Sequence, residues 1–424
     1  MENRVVITGL GIVAPNGINI ADFTHSIKNG ISGIRFNQQL KDLNFSCQIS
    51  GEPNLPENYL SNYFTTAELS KFNSSGIAYG VIAGMDAWKD AGLEIATNEP
   101  FWDSGTIFGT GTSGIDKFRD GIYHIDEGSV KKLGSGTAVQ VMASAVSAYL
   151  SGKIGLGNQI TTNSSACATG TESLLMAYDR IKSGQATIML AGSTCDSGPY
   201  IWGGFDAMKV CTYKHNHEPE KGSRPMSATA SGFVPSSGAG AFVVESLESA
   251  LKRGANIYAE VLGGNVNSGG QRGLGSMTAP NPVAVQHCIT GAIANAKINA
   301  EDIDVINGHL TATTKDALEI ENWTKALNRA GNDFPYINSL KSMIGHSLSA
   351  AGSMECVASI IQISEEFIFP NINCEDLNPE IEKIISKESI PTSLIQKPIS
   401  ILAKANFGFG DVNACVILKK YQNE

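Results

Sequence analysis

The sequence has few charged residues and no long apolar run. Of its 424 residues 17% are Asp, Glu, Lys or Arg, whereas 42% are hydrophobic. This composition excludes a disordered, collagenous or coiled-coil chain and indicates a large packed core, either two or three domains or one large α/β body. No apolar run approaches the roughly 20 residues of a membrane-spanning helix, and the start of the chain lacks the apolar stretch of a signal peptide. We therefore expect a soluble, cytoplasmic protein with no membrane partner.

Basic residues are scarce as well. The chain has 31 Lys and Arg against 41 Asp and Glu, which gives a net charge of −10. A protein that holds nucleic acid through its phosphates needs a surplus of positive charge. We therefore expect no nucleic-acid partner.

The eight cysteines are scattered and include no CxxC pair. A disulfide scaffold or a zinc ribbon would need clustered cysteines, so the spacing predicts reduced thiols. Two histidines lie close together in Lys214-His215-Asn216-His217-Glu218, but such a pair in a polar stretch is more typical of a solvated loop than of a metal site. We expect no metal ion.

Strand-like and helix-like segments alternate along the chain, which predicts an α/β fold with sheets buried under helices. The first strand runs into a Gly-rich turn, and the order of elements repeats in the second half without a linker. We predict two similar fused halves, residues 1–255 and 256–424. The predicted strands are 4–8, 105–108, 159–162, 186–191, 242–245, 257–262, 303–306, 399–403 and 414–418, and the predicted helices are 81–92, 140–150, 170–183, 283–296 and 350–363.

A glycine pattern follows the strand predicted at 105–108. Gly109-Thr110-Gly111-Thr112-Ser113-Gly114 matches the phosphate-binding pattern GxGxxG. The chain has 45 glycines, and no second strand of a dinucleotide-binding unit follows the pattern. We interpret it as a tight turn.

Cys167 is the first candidate for chemistry. It lies between a predicted strand and a long amphipathic helix, where unpaired N–H groups and the positive end of the helix dipole favour a thiolate. The small neighbours Ala166, Ala168 and Gly170 leave room for a bulky acyl group. A buried structural cysteine is the common alternative, and this segment alone leaves both interpretations open.

The second half supplies possible partners for this thiol. His309 follows a predicted strand, and Lys341 and His346 lie between the next strand-like segment and a predicted helix. Each of them alone would be more typical of a structural residue. Together with Cys167 they fit the rule that ligands bind at the carboxyl ends of strands.

At this point the sequence resembles the β-ketoacyl-acyl-carrier-protein synthases of the Cys-His-His type, nearly from end to end. The motifs that carry the resemblance occur in the family's order: Ala166-Cys167-Ala168-Thr169-Gly170, Lys341-Ser342-Met343-Ile344-Gly345-His346 and Asn406-Phe407-Gly408-Phe409-Gly410. The resemblance implies a thiolase-like fold with two similar halves in αβαβα layers. The N-terminal half would carry the nucleophile, and the C-terminal half both histidines and a gate loop. It also implies a dimer, formed with a second copy or a related subunit.

The same resemblance implies an acyltransferase that catalyses a decarboxylative Claisen condensation in fatty acid, polyketide or aryl polyene biosynthesis. Cys167 would receive an acyl chain from an acyl carrier protein, with the N–H groups of Cys167 and Phe409 as oxyanion hole. His309 and His346 would bind the thioester carbonyl of malonyl-carrier protein as CO₂ leaves. Lys341 would support the histidines, and Phe409 would also act as the gate.

Further roles follow from the resemblance. The phosphopantetheine arm comes with the carrier protein, so the enzyme needs no cofactor of its own. Lys71 and Lys209 would dock the carrier protein. The residues expected to contact substrate are Thr311, Thr313, Phe407 and Gly408.

Some positions depart from the family pattern. Leu310 replaces a glycine and would crowd the loop beside His309, and Asp411 replaces a glycine at the end of the gate loop. A Gly-rich stretch precedes Met277, and small neutral residues between 224 and 240 replace an acid–base network. These changes favour a specialised pathway over housekeeping fatty acid synthesis.

Three other functions share this fold. A thiolase would need a second catalytic cysteine in the C-terminal glycine loop, whereas Cys415 lies beyond it in a predicted strand. A type III synthase would carry Asn in place of His346. A silent chain-length-factor subunit would usually lack the nucleophile, which Cys167 supplies here. The acyl chain length, the identity of the carrier protein and the dimer type stay open.

Overall fold

The computed structural model describes residues 2–422, which are organised around a mixed sheet of ten strands. The strands are β1 (Val5–Val13), β2 (Ile34–Phe36), β3 (Ile49–Gly51), β4 (Ser104–Thr110), β5 (Ile160–Thr161), β6 (Ile188–Cys195), β7 (Gly238–Ser246), β8 (Ala259–Ser268), β9 (Val305–Asn307), β10 (Tyr336–Asn338), β11 (Phe367–Ile368), β12 (Ile395–Gln396), β13 (Ile401–Gly408) and β14 (Val412–Lys419). The helices are α1 (Ile20–Lys28), α2 (Gln38–Asp42), α3 (Thr66–Leu69), α4 (Ser75–Asp90), α5 (Ile115–Asp126), α6 (Gly136–Val141), α7 (Ala145–Ile154), α8 (Thr169–Lys182), α9 (Pro199–Ala207), α10 (Leu247–Lys252), α11 (Pro282–Ala296), α12 (Asp316–Leu327), α13 (Lys341–Ile344), α14 (Ala351–Glu365) and α15 (Pro379–Glu382).

The large sheet consists of two strand sets with the same internal order. The N-terminal set runs β5-β4-β6-β7-β1, and the C-terminal set runs β10-β9-β13-β14-β8. In each set the first three strands are parallel and the last two pairings are antiparallel. The two sets join where β1 and β8 pair antiparallel, with Val5 opposite Val261. The predicted boundary at residue 255 stays a prediction.

Three hydrophobic cores separate the layers. The central core contains residues of α8 and α14, which pack against each other between the two strand sets. A second core lies under α4 and α7 on the N-terminal set, and a third under α11 and α12 on the C-terminal set. Helices, strands, helices, strands and helices therefore alternate, and the predicted thiolase-like α/β fold is confirmed. Because both faces of the central strands are covered, they are continuously buried instead of alternating.

Two predicted local structures were wrong. The first strand does not end in a turn but continues through Gly9 and Gly11. A Cβ on Gly11 would lie only 1.9 Å from the carbonyl oxygen of Ala83, so these glycines allow α4 to pack closely on β1. The helix predicted over 140–150 is interrupted, because Met142 is extended and separates α6 from α7.

Two expectations from composition can be compared with the structure. All eight cysteines are free thiols. Within residues 2–422, no helix combines the length and the apolar character that crossing a membrane would require.

Candidate active site

The three residues singled out for catalysis lie together although they come from distant parts of the chain. Cys167 lies in the short 3₁₀ turn Ala166–Ala168, directly before α8, whereas His309 follows β9 and His346 follows α13. The Cys167 sulfur and a ring nitrogen of each histidine all lie within 4.8 Å of one another. Loops from both halves of the chain thus supply one cluster.

This cluster opens into a cavity of about 520 Å³. That volume is in the range of sites that enclose a small molecule. The cavity brings together the residues expected to contact substrate, and its lining includes Thr311, Thr313, Phe407, Gly408 and Phe409.

The turn that carries Cys167 has an unusual backbone. Ala166 has a φ of +49°, in the left-handed region that few non-glycine residues adopt. The hydroxyl of Thr169 holds this turn, because it accepts from the Ser165 N–H at 2.9 Å and donates to the Ala166 carbonyl at 2.7 Å. The backbone N–H groups of Cys167 and Phe409 both lower the pKa of the Cys167 thiol. Both expected oxyanion-hole donors are therefore close to the sulfur, and their role toward a substrate oxygen stays a prediction.

The resting charge of Cys167 differs from the expectation. Burial raises the pKa of the Cys167 thiol to about 11, and the positive charge of Lys341 and the N–H of Phe409 offset this only in part. The backbone N–H groups therefore favour the thiolate, as the helix end was expected to do, but loss of solvent around the sulfur outweighs them. The net shift favours the thiol at neutral pH.

The hydrogen bonds of the two histidines assign their tautomers. The Leu348 N–H donates to His346 Nδ1 at 3.2 Å, and the Asn406 amide donates to His309 Nδ1 at 3.2 Å. The Asn406 amide is itself oriented, because its oxygen accepts from Thr171 at 2.6 Å. An Nδ1 that accepts leaves the proton on Nε2. Both histidines therefore present Nε2–H donors.

The histidines are also neutral. Burial, and after it the positive charge of Lys341, lowers the pKa of His346 to about 3 and that of His309 well below its usual range. Neutral imidazoles donate hydrogen bonds without contributing a full charge to the cavity.

Lys341 lies beside His309, as expected. Its ammonium donates to the His309 carbonyl at 2.6 Å, lies 3.4 Å from His309 Nδ1, and forms an ion pair with Glu355. Glu355 also accepts from Lys404 and from Asn406, each at 2.8 Å. Sequence reasoning missed Glu355 and Lys404. The available signal was that each is a single charge within an otherwise uncharged stretch of a buried helix or strand.

Two further acids hold the loop after β9, and they were not predicted either. The Glu319 carboxylate accepts the N–H groups of His309 and Leu310 at 2.6 and 2.7 Å. Asp316 accepts from Thr311 and Ala312 at 3.0 and 3.1 Å. Burial raises the pKa of Glu319 to about 7 and that of Asp316 to about 6.

Leu310 does not crowd the cavity. Its side chain packs in the C-terminal core, while its backbone adopts a φ of +23°. The replacement of glycine therefore strains the backbone beside His309 without blocking the site.

Two other departures from the family pattern contact each other. The buried Asp411 carboxylate accepts the N–H groups of Gln271 and Asn281, at 2.9 and 2.7 Å, from the Gly-rich stretch after β8. The Gly410 N–H also donates to the Met277 carbonyl at 2.8 Å. The gate loop, residues 407–411, is thus hydrogen-bonded to residues 271–281.

An ionic network surrounds Arg224. Its guanidinium pairs with Glu375 at 2.9 Å and Asp376 at 2.8 Å, and it also contacts the hydroxyls of Ser227 and Thr229. The acids that pair with Arg224 thus come from residues 375 and 376 and not from the stretch 224–240.

The two lysines expected to dock a carrier protein lie in different places. Lys209 is exposed between Met208 and Val210, which both line the cavity. Lys71 is exposed next to α6, where its carbonyl accepts from Gln140, and does not line the cavity. The structure therefore brings only Lys209 to the rim of the cavity.

Two other patterns can now be located. Within residues 2–422 the group that could hold a metal is Cys167, His309 and His346, and His215 and His217 form no such group. These are ligand types that zinc accepts, and the expectation of no metal stays a prediction.

The GxGxxG stretch leads into α5, where the N–H of Ile115 faces the buried Asp196 carboxylate at 3.4 Å. A carboxylate at this position disfavours phosphate, which supports a turn.

Comparisons with known proteins point to one family. The family model for the β-ketoacyl synthase N-terminal domain matches residues 2–250, and that for the C-terminal domain matches residues 258–375. The chain is 32% identical over 426 residues to 3-oxoacyl-[acyl-carrier-protein] synthase 1 of Escherichia coli K12, covering 99% of this chain and 100% of that protein. Two solved structures, each 26% identical, are similar: a β-ketoacyl synthase from Burkholderia phymatum STM815 (TM-score 0.89, 99% and 100% covered) and the ishigamide ketosynthase/chain length factor (TM-score 0.87, 100% of both chains). The chain therefore belongs to the β-ketoacyl synthase family.

Proposed function

We propose that this protein is a 3-oxoacyl-[acyl-carrier-protein] synthase, an acyltransferase that condenses an acyl chain on Cys167 with malonyl-acyl carrier protein. The observation that carries the proposal is the cluster of Cys167, His309 and His346 within 4.8 Å at the base of one cavity. A nucleophile and two hydrogen-bond donors are what the two half-reactions need. The name of the Escherichia coli relative, 3-oxoacyl-[acyl-carrier-protein] synthase 1, agrees with this activity.

The first half-reaction is acyl transfer. Cys167 attacks the thioester carbonyl of acyl-carrier protein, and the N–H groups of Cys167 and Phe409 stabilise the tetrahedral oxyanion. The carbon–sulfur bond to pantetheine breaks, an acyl-Cys167 thioester forms, and the Cys167 proton ends on the pantetheine thiol.

The second half-reaction begins with malonyl-carrier protein. The Nε2–H groups of His309 and His346 donate to its thioester carbonyl and stabilise the enolate that forms as the carboxylate leaves as CO₂. Donors placed where negative charge develops lower the barrier because they need no reorganisation. Lys341 keeps His309 in place through the carbonyl and Nδ1 contacts.

Condensation then restores the enzyme. The enolate carbon attacks the acyl-Cys167 carbonyl, a carbon–carbon bond forms, and the bond to the Cys167 sulfur breaks to give 3-oxoacyl-carrier protein. The thiolate takes up one proton, which the high pKa of Cys167 favours. Thr311, Thr313, Phe407 and Gly408 line the route of the pantetheine arm, which the acyl carrier protein supplies, so the enzyme needs no cofactor or metal of its own.

We also propose that the chain functions as a dimer, with a second copy or a related subunit. The short strand β5 is at one edge of the large sheet, and Ile160 in it is exposed. Elsewhere in the N-terminal half, α5 exposes Phe118, Ile122 and Tyr123. Exposed apolar patches and open edges mark association surfaces. Light scattering after size-exclusion chromatography should give twice the mass of the chain for a homodimer.

A chain-length-factor function is not favoured. Such a subunit needs no nucleophile, whereas here the nucleophile, its oxyanion donors and both histidines are all present. The pathway stays open between fatty acid synthesis and the specialised polyketide or aryl polyene routes.

The proposed acyl transfer can be tested by intact mass spectrometry. Wild-type protein is incubated with acyl-carrier proteins of several chain lengths, and an adduct with the mass of the acyl group is expected on Cys167. Cys167→Ser should gain no adduct of that mass. An equal adduct on Cys167→Ser would mean that another residue is the nucleophile.

A further inference from the structure

Two buried lysines share one carboxylate beside His309. Lys341, Lys404 and Glu355 are each at most 1% exposed. Lys341 pairs with one oxygen of Glu355, and Lys404 pairs with the other at 2.8 Å. The cluster therefore contains two ammonium groups and one carboxylate. Burial lowers the pKa of Lys404, and the negative charge of Glu355 opposes this shift. Lys404 has no part in the mechanism described so far.

A buried charge needs a compensating gain, because taking an ammonium out of water is unfavourable. Lys341 and Lys404 each pair with a different oxygen of Glu355, so this carboxylate has one ion pair more than neutrality needs. The hydrogen bonds that lead from Glu355 to His309 suggest where the gain lies.

The register of β13 connects Lys404 to His309. Lys404 and Asn406 are two residues apart on one strand, so their side chains lie on the same face. Both bind the same Glu355 oxygen, at 2.8 Å each. Asn406 in turn donates to His309 Nδ1 at 3.2 Å. Lys404 thus fixes the carboxylate that holds the amide orienting His309.

We propose that Lys404 is a positioning residue for the decarboxylation half-reaction, which holds Glu355 and Asn406 against His309 and adds an ammonium group to the buried cluster behind that histidine. This inference rests on the proposed function. A net positive charge close to a developing anion in a water-poor cavity favours that anion.

The positive charge of Lys404 also affects the pKa values of His309 and His346. The groups that face His309 and His346 are Lys341 from α13, Glu355 from α14, Glu319 from α12, Lys404 from β13, and Cys167 from the turn before α8. The positive charges of Lys341 and Lys404 both lower the histidine pKa values, whereas Glu355 raises that of His346. Without Lys404, the Lys341–Glu355 pair is neutral overall. The histidines should then protonate at a higher pH.

The test compares Lys404→Met, which removes the charge, with Lys404→Arg, which keeps it. In Lys404→Met we expect Cys167 acylation within about threefold of wild type and CO₂ release from malonyl-carrier protein about 10- to 100-fold slower, the usual range for a supporting group. The pH below which the rate of CO₂ release falls, the acidic limb of its pH–rate profile, should be higher than in the wild type. Lys404→Arg should keep the acidic limb at the wild-type pH and recover most of the rate.

Arg253→Met is a matched control, because Arg253 pairs with the buried Glu245 away from the cavity. It should lower the Tm without changing the ratio of CO₂ release to acylation. The inference would be overturned if Lys404→Met slowed acylation and CO₂ release by the same factor, or if its acidic limb stayed at the wild-type pH. It would also be overturned if Lys404→Arg folded but had the same rates and pH profile as Lys404→Met.

Wild-type protein gives an independent check if the variants do not fold. The ring resonances of His309 and His346, followed by NMR, should not titrate above about pH 5, and titration of either ring near the ordinary histidine pKa of about 6.5 would overturn the inference. The rings are followed directly because burial raises the pKa of the neighbouring Glu319 to about 7, so its titration would also change the rate in this range. A wild-type protein that releases no CO₂ at any pH would instead refute the proposed function.

Discussion

At Cys167, reactivity and resting charge are separate properties. A thiol with a raised pKa is a poor nucleophile until it loses its proton, but it is also protected from unwanted alkylation and oxidation. The N–H groups of Cys167 and Phe409 lower this pKa only in part. We therefore expect the site to stabilise the oxyanion of the transition state more than a thiolate in the resting enzyme.

This gives a pH-dependent prediction for Cys167. Iodoacetamide reacts with the thiolate, so alkylation of Cys167 should become about tenfold faster per pH unit from pH 7 to pH 10. The rate can be followed by peptide mass spectrometry, with Cys167→Ser as the control for the other cysteines. A plateau below pH 8 would show that the site stabilises the thiolate after all.

The histidines should affect the two half-reactions differently. Replacing His309 or His346 with Ala removes a donor to the enolate oxygen, which typically costs about 10²–10³ in rate. We expect CO₂ release from malonyl-carrier protein to fall by this factor, while Cys167 acylation stays largely intact. His215→Ala, in a surface loop, is the matched control. Unchanged CO₂ release in both active-site variants would refute the assignment.

The sequence predicts candidate reacting residues but not the residues that support them. Cys167, His309 and His346 could be singled out because each lies in a short segment that resembles those of the β-ketoacyl synthases, and their catalytic roles stay predictions. Glu355 and Lys404 could not, because a single charge in an apolar segment indicates an unusual environment without naming its partner. Their pairing depends on the contact between α14 and β13, which only the folded chain shows.

At the scale of elements, the gate loop and the Gly-rich stretch behave as one unit. The Asp411 carboxylate receives two backbone N–H groups from residues 271–281. Two departures from the family pattern therefore complement each other: the gate loop ends in an acid, and the stretch opposite it contains glycines that allow a close approach. A Cβ on Gly269 would lie 2.2 Å from an Asp411 oxygen.

Asp411→Asn should loosen this unit. The amide can accept fewer N–H bonds than the carboxylate, and hydrogen bonds to a charged group are worth about 1.5–3 kcal/mol each. We expect a lower Tm and faster hydrogen exchange confined to residues 269–281 and 407–411.

Asp304→Asn is the control for this variant, because Asp304 also accepts two backbone N–H groups, from Ser400 and Ile401. It should lower the Tm but leave exchange in residues 269–281 unchanged. If Asp411→Asn left exchange in both segments unchanged, the two would not be coupled.

Most elements could be predicted because buried strands and amphipathic helices have clear patterns. The failures have specific causes. At Gly9 and Gly11 glycine was interpreted as a turn signal, whereas the reason for it is the approach of α4, a contact made across about 75 residues. At Met142 a helical pattern continues in sequence, but the backbone extends between α6 and α7.

At the scale of the molecule, the chain is acidic as a whole and has to bind its proposed carrier protein through a local basic surface. A net charge of −10 repels an acidic partner, so docking depends on basic residues near the cavity. Lys209 is at the rim, while Lys71 lies beside α6. The docking role of both lysines stays a prediction.

Charge reversal tests this role. Lys209→Glu and Lys71→Glu should each slow acyl transfer from carrier protein, and the effect should fade as salt screens the attraction. Transfer from a short pantetheine thioester, which has no protein surface, should not change. Equal losses with both donors would mean that the lysines affect folding or the cavity, and docking would be refuted.

The central claim is that one cavity carries out both half-reactions through Cys167, His309 and His346. The most direct test is a two-step single turnover followed by intact mass spectrometry: acyl-carrier protein is added first, and malonyl-carrier protein after the excess is removed. The account predicts an acyl adduct on Cys167 that disappears as CO₂ and 3-oxoacyl-carrier protein form in equal amounts. An adduct that persists with malonyl-carrier protein, or a product formed equally well by Cys167→Ser, would contradict it.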